Sequence, residues 1–311
     1  MNGTHVVIGL GEVDPALVEP FLPDGTRFLA ETDPQSLADA VGAVVRADVD
    51  VDRDLMDRMP RLRVLARTGV GVDRIDMDAA TERGIPVVIT PGAGTNAVAE
   101  GTLAMALHLV KDLRRSTALV REDRWRERTN LAVGDLEGRT IGVIGYGRIG
   151  RRVAELARVF GMTVLAYDPF AEIGSEGVSL DELRDRSDVI SLHLPLTEDT
   201  RHLVDSDFLA KVPHGCILIN CGRGGLVDLD AVHDALRSGG LAGVGLDVFE
   251  TEPPAHHPLF DRDDVVLSPH HMGLSARATA RTFAAAATGI ADVIVGRQPA
   301  AVANPDWHRP R

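Results

Sequence analysis

Residues 140–150, TIGVIGYGRIG, decide how the chain is to be read. The stretch opens as an apolar, β-branched run. Gly145, Gly147 and Gly150 then stand in the spacing G-x-G-x-x-G, and a helical pattern follows through Val153, Leu156 and Val159. Strand, glycine turn and helix in that order suit a pyrophosphate. The glycines permit a tight turn and a close approach of backbone, and the helix N-terminus offers unpaired N–H groups at the positive end of its dipole. The next strand-like run, TVLAY at 163–167, ends in Asp168, where a carboxylate would accept hydrogen bonds from ribose hydroxyls and repel a 2′-phosphate. NAD is therefore expected over NADP. The blander alternative is that the glycines only pack a helix on a sheet and Asp168 only ends a strand before Pro169. Flavin or an S-adenosyl cofactor would use a similar turn.

Working outward, DVISLH at 188–193, CILIN at 216–220, AGVGLDV at 242–248 and DVVLSP at 264–269 continue the series, mostly with helical segments between them. Six such strands fill a doubly wound parallel sheet. Upstream, HVVIGL at 5–10, VGAVV at 41–45, RVLAR at 63–67 and PVVIT at 86–90 alternate with polar or amphipathic segments and predict a second parallel α/β sheet. Pro91, Gly92 and Gly94 punctuate the chain before an apolar-striped segment from Ala97 to about Val120, with Met105, Leu109 and Leu113 on one face, which reads as a hinge and a linking helix. An Ala-rich helical pattern from Ser275 to Val295, ended by Gly296 and Pro299, carries the chain back to the first domain. The expected fold class is α/β with two Rossmann-like domains: a smaller flavodoxin-like substrate domain from 1–97 and 274–311, and a doubly wound NAD-binding domain inserted at 98–273.

The 311 residues are 44% hydrophobic, enough for two cores. A net charge of −13 leaves no basic field for nucleic acid or an anionic membrane. The N-terminal stretch MNGTHVVIGLGEVD lacks a basic region and a long apolar core, and no run approaches the ~20 apolar residues of a membrane span, so a cytoplasmic protein is expected. Cys216 and Cys221 suggest neither a disulfide framework nor a zinc site and are expected to be free thiols.

In an open α/β sheet the ligand lies beyond the carboxyl ends of the strands. Three polar stretches occupy such places: Cys221-Gly222-Arg223-Gly224-Gly225, Glu250-Thr251-Glu252-Pro253 and His270-His271-Met272-Gly273. They supply a cation, a carboxylate and an imidazole. Singly, each has an ordinary reading as a surface ion pair, a solvated loop residue or a helix cap. His256, His257, His270 and His271 invite a metal, but adjacent loop histidines point apart and no acidic or thiolate partner has ligand spacing, so none is expected.

The ordered set GYGRIG, YDP, SLHLPLT, INCGRGGLVD, GLDVFETEP and SPHHMG resembles the D-isomer-specific 2-hydroxyacid dehydrogenase family from roughly Val44 to Asn304. The resemblance implies hydride transfer between NAD and C2 of a small 2-hydroxy acid, with Arg223, Glu252 and His270 at the catalytic positions. Arg223 would hold the substrate carboxylate and polarise the C2 oxygen, His270 would exchange the proton with that oxygen, and Glu252 would orient the ring and favour its protonated form. Val70, Gly145, Gly147, Arg148, Ile149, Gly150, Asp168, Leu194, Cys221, Gly222, Asp247 and Gly273 fall on cofactor positions, and His271 flanks the active histidine.

The first domain is expected to complete the substrate pocket. Arg67-Thr68-Gly69-Val70-Gly71-Val72-Asp73 follows a strand and would turn backbone N–H groups toward a carboxylate. Arg46 falls where phosphoglycerate dehydrogenases carry an arginine and would read a second anionic group. Arg74, Gly94, Ala97 and Gly101 depart from that branch, so the expected substrate is 3-phosphoglycerate or hydroxypyruvate-like. The sequence stops soon after the returning helix, so the regulatory domains of longer members are not expected, and the segment after Ala97 resembles the one with which members build a homodimer. Two other readings stay open: an NAD-sensing corepressor-like module that binds peptides, and an oxidoreductase of another small anion such as formate or phosphite.

Overall fold

The computed structural model describes residues 5–308, so the first four residues of the N-terminal stretch read above and the last three of the chain lie outside it. Two α/β units share these residues. One comprises those up to Gly94 together with those from Leu274 onward, and the other comprises Thr95–Gly273. The first passage between units falls slightly before the expected 97/98 boundary, because the helix Thr95–Val110 starts earlier and buries Ala99, Leu103 and Ala106 in the second unit's core.

In the first unit β1 (His5–Leu10), β2 (Thr26–Leu29), β3 (Ala40–Val45), β4 (Val64–Arg67) and β5 (Val87–Val88) form a parallel sheet in the order β2-β1-β3-β4-β5. This is the flavodoxin-type strand order. Val7, Ile8, Val44, Val64 and Leu65 have no exposed surface, as expected of strands covered on both faces. β2 was not anticipated: it is a short edge strand in which only Phe28 is buried. The returning helix Ala276–Ile294 is capped by Ser275, whose hydroxyl accepts the Ala278 N–H at 3.2 Å, and it buries Ala286, Ala287 and Ile290. A Cβ on Gly42 would stand 3.0 Å from Ile290, so the bare backbone of β3 lets this helix approach. Beyond it the chain runs back along β5, where the Ala303 N–H bonds Val87 O and the Val87 N–H bonds the Asn304 side chain at 2.8 Å.

In the second unit β6 (Thr140–Ile144), β7 (Thr163–Tyr167), β8 (Val189–Leu192), β9 (Cys216–Asn220), β10 (Leu241–Leu246) and β11 (Val265–Leu267) are all parallel, in the order β11-β10-β9-β8-β6-β7. The winding reverses between β6 and β8, which opens a crevice at their carboxyl ends. The linking segment, expected as one helix from Ala97 to about Val120, is two helices, Thr95–Val110 and Leu113–Arg121. They are separated at Asp112, whose φ of 47° breaks the helical path and turns Leu113 out to solvent. In the helix Arg148–Val159 the buried stripe is Val153, Ala154 and Ala157, while Val159 is exposed rather than part of the stripe. Both cysteines are free and buried, and burial pushes each thiol up to about 12. No helix among the described residues is long and apolar enough to cross a membrane.

Candidate active site

The glycine turn sits at the winding reversal. Gly145 has φ 96°, its N–H bonds Tyr167 O at 2.8 Å, and a Cβ there would collide with the backbone of His193 and Leu194. A Cβ on Gly150 would lie 2.0 Å from Gly145 O, so this glycine lets the helix seat against the turn. Gly147 differs: a Cβ on it would meet only open space. Packing explains two of the three glycines, and the third leaves backbone bare toward solvent at the helix N-terminus, which is the cradle a phosphate needs. Arg148 is exposed beside Gly147, Ile149 is half-buried, and the Leu194 side chain is buried under the crevice.

Asp168 closes the turn from β7. Its Oδ2 accepts the Tyr146 N–H at 2.8 Å and its Oδ1 the Phe170 N–H at 2.9 Å. A carboxylate has about four lone-pair sites, so acceptor capacity remains on both oxygens for a vicinal diol, and the residues present fit the adenosine end of a dinucleotide. Tyr146 is itself anchored, with its ring buried, its hydroxyl 3.0 Å from Glu176, and the Arg151 guanidinium 4.9 Å above the ring.

The three post-strand stretches follow β9, β10 and β11, which are neighbours in the sheet. Asn220, fully buried at the end of β9, accepts the Gly222 N–H at 3.0 Å and donates to Arg223 O at 2.9 Å, which fixes the Arg223 backbone. A Cβ on Gly224 would overlap the backbone of Phe249 and Glu250, so this glycine lets the β9 and β10 loops touch. Glu252 Oε1 accepts the Phe249 N–H at 3.0 Å, and Oε2 lies 2.8 Å from His270 Nδ1. Burial works against the Glu252 carboxylate, but the His270 and Phe249 hydrogen bonds, with the charges of His270 and Arg223, outweigh it and hold the group below the usual glutamate value. Cation, carboxylate and imidazole are thus brought to one sheet edge. The thiol of Cys221 is buried away from solvent, so only the backbone of Cys221 and Gly222 is available to a ligand.

Asp247 falls among the cofactor positions read from the sequence, but its partners were missed: it is 2% exposed, follows β10 and accepts hydrogen bonds from the Ser268 hydroxyl, the His271 N–H at 3.0 Å and the Met272 N–H at 3.3 Å. Burial raises its carboxyl. Asn220 and Ser268 gave one weak signal, a polar residue closing an apolar run. A Cβ on Gly273, the last residue of this unit, would stand 3.5 Å from the Val98 side chain, in ordinary contact.

In the first unit Arg46 and Arg67–Asp73 follow β3 and β4. The Arg46 guanidinium lies 5.4 Å from the Phe283 ring centroid. Thr68 ties its loop to β3 through Val45 O, and Gly69 has φ 147°. The side chain of Val70 is 51% exposed and Gly71 is half-buried. Arg74 pairs with Asp50 at 3.0 Å.

Residues 103–272 match the family model described as D-isomer specific 2-hydroxyacid dehydrogenase, NAD binding domain. The chain is 41% identical over 265 residues to a D-3-phosphoglycerate dehydrogenase of Mycobacterium leprae, covering 83% of this chain and 49% of that protein. It therefore spans about half the length of the D-3-phosphoglycerate dehydrogenases it matches. It is also 41% identical to a hydroxypyruvate reductase of Thermotoga maritima, over 76% of this chain and 79% of the relative. Among solved structures, the TT0316 protein of Thermus thermophilus superposes with a TM-score of 0.88 at 34% identity, over 96% of this chain and 99% of that one.

Proposed function

The chain belongs to the D-isomer specific 2-hydroxyacid dehydrogenase family, on its phosphoglycerate dehydrogenase branch, and on that premise we propose that it is an NAD-dependent oxidoreductase acting at C2 of a small 2-hydroxy acid. The observation that carries this reading is the 2.8 Å contact between His270 Nδ1 and Glu252 Oε2. A carboxylate can only accept, so it keeps the proton on Nδ1 and leaves Nε2 as the atom that gives or takes a proton. When bound, the nicotinamide supplies or receives the hydride at C2.

The residues of this chain do the rest. Arg223 is assigned to the substrate carboxylate and C2 oxygen, because its planar fork stays charged at working pH. His270 Nε2 exchanges the proton with the C2 oxygen, and Glu252 holds the ring in the tautomer this needs. Asp168 with the backbone around Gly147 is assigned to the adenosine and pyrophosphate. Asp247 is assigned to the cofactor's reactive end. Arg46, with a guanidinium already stacked on Phe283, is assigned to a second anionic group, and Val70 and Gly71 to the substrate loop. The names of the relatives support 3-phosphoglycerate or hydroxypyruvate as the substrate class. We assign the active form to a homodimer in the cytoplasm, with the exposed Leu113, Val120, Trp125 and Val133 of the segment after the linking helix as its contact surface.

The first test is NADH oxidation over a panel of 2-keto acids that includes 3-phosphohydroxypyruvate, hydroxypyruvate, glyoxylate and pyruvate. Selective turnover of one member is expected, with His270→Gln and Arg223→Ala each losing ~10²–10⁴ in kcat while NADH still binds. Silence across the panel by a protein that binds NADH would overturn the proposal.

A further inference from the structure

His270 stands in a conformation uncommon for residues other than glycine: φ is 51°, in the left-handed region. A glutamate contact at the ring does not fix a backbone, so something else must hold the residue there. The turn around it supplies the answer. The His270 N–H bonds back to Ser268 O at 3.0 Å, and the two following N–H groups, of His271 and Met272, converge on Asp247. Ser268, 4% exposed, sits between: its N–H bonds Leu246 O at 3.0 Å, and its hydroxyl touches both Asp247 Oδ1 and His271 Nδ1, the latter at 2.7 Å. Residues on both sides of His270 are therefore tied to one buried carboxylate.

We propose that Ser268 and His271 are positioning residues for His270, linked through Ser268 to Asp247 so that the turn 268–272 is held in the single arrangement that presents the His270 ring to Glu252. The inference rests on the reading of His270 as the proton-exchanging group. It extends that reading to residues that act on His270 through the turn.

The protons in the chain can be placed. A carboxylate that already accepts two backbone N–H groups takes the Ser268 hydroxyl proton as well. Ser268 has only that one proton, so its oxygen must accept from His271 Nδ1–H. His271 is thus fixed as the Nδ1–H tautomer when neutral, as Glu252 fixes His270. Removing the Ser268 hydroxyl releases one end of the turn and leaves Asp247 its backbone donors, so the cofactor side stays assembled while the His270 ring loses its fixed direction.

The test uses the full chain and two readouts. In ¹⁵N-histidine NMR at mildly alkaline pH, assigned with His270→Gln and His271→Asn, both rings are expected as Nδ1–H tautomers. Ser268→Ala is expected to return His271 to the Nε2–H form that free histidine prefers and to shift the His270 resonances. In NADH-dependent reduction of the best 2-keto acid, Ser268→Ala is expected to lower kcat about tenfold with NADH affinity changed less than about twofold, and Ser268→Thr to recover most of the loss, the pattern of a residue acting only on the chemical step. An Nε2–H tautomer for His271 in the unaltered protein, an unchanged kcat in Ser268→Ala, or a kcat loss that Thr does not rescue overturns the inference. His270→Gln separates the two levels. If that variant keeps its turnover, the reading of His270 fails. If it is inactive while Ser268→Ala is normal, only the positioning role fails.

Discussion

His270 Nδ1 and Glu252 Oε2 lie 2.8 Å apart although they follow different strands, β11 and β10. The pair exists because the two strands are hydrogen-bonded neighbours and because Glu252 is pinned at its other oxygen by the Phe249 N–H.

Glu252→Gln preserves shape and removes charge. The amide oxygen can still accept from Nδ1, but the imidazolium formed during turnover loses its counter-charge. We expect kcat to fall by ~10- to 100-fold with little change in NADH affinity, read by steady-state kinetics beside a fluorescence titration. Because the folded protein holds Glu252 below the ordinary glutamate value, its contribution to stability is present above pH ~4.5 and is lost as pH falls through that lowered pKa.

The proposed assignment gives Asp168 two tasks that one substitution separates. Asp168→Asn keeps an acceptor for one of the two N–H groups and abolishes the repulsion of a 2′-phosphate. NADH affinity is expected to drop about tenfold, and the preference for NADH over NADPH to shrink by more than that, since a charged hydrogen bond is worth about 1.5–3 kcal/mol. Equal losses for both cofactors would count against the ribose assignment.

Gly147 and Gly150 should respond oppositely to alanine. Gly150→Ala places a methyl 2.0 Å from Gly145 O and is expected to destabilise the fold by at least about 1–3 kcal/mol. Gly147→Ala meets open space at a φ of −74° and should leave Tm nearly unchanged while weakening NADH binding. Thermal melts with and without NADH distinguish the two cases.

His193 predicts a loss of stability in mild acid. Its Nε2 bonds Ser191 Oγ at 2.8 Å, its Nδ1 is buried with no partner among the described residues, and burial lowers the ring from 6.5 to about 4. The unfolded chain therefore binds a proton that the folded one refuses between about pH 6.5 and 4. Stability is complete above that window and declines by at most about 3 kcal/mol through it. Denaturant melts at intervals of pH should show this slope, and His193→Gln should flatten it.

The parallel strands were legible because burial on both faces writes them as unbroken apolar runs: TVLAY and CILIN match β7 and β9 residue for residue. Thr26–Leu29 was not, since an edge strand of that length with one buried side chain carries no pattern. The break at Asp112 escaped because Lys111-Asp112-Leu113 contains neither Gly nor Pro. In the candidate site, the stretches that carry Arg223, Glu252 and His270 could be singled out because each follows an apolar strand, and the family resemblance then picked the three residues within them. Asn220, Ser268 and the clasp at Asp247 could not, because their partners are set by which strands are neighbours, and strand order is absent from local sequence.

The sheet of the second unit also acts as a ruler. Asp168 leaves β7 and Asp247 leaves β10, four strand intervals apart in the order β7-β6-β8-β9-β10. At roughly 4.8 Å per interval, the positions proposed for the adenosine end and the reactive end are set ~19 Å apart by backbone hydrogen bonding alone. That distance is indifferent to side chains, so exchanges such as Ile for Val inside the strands can drift over time without changing reach. Only the gain or loss of a whole strand would put the two ends out of scale.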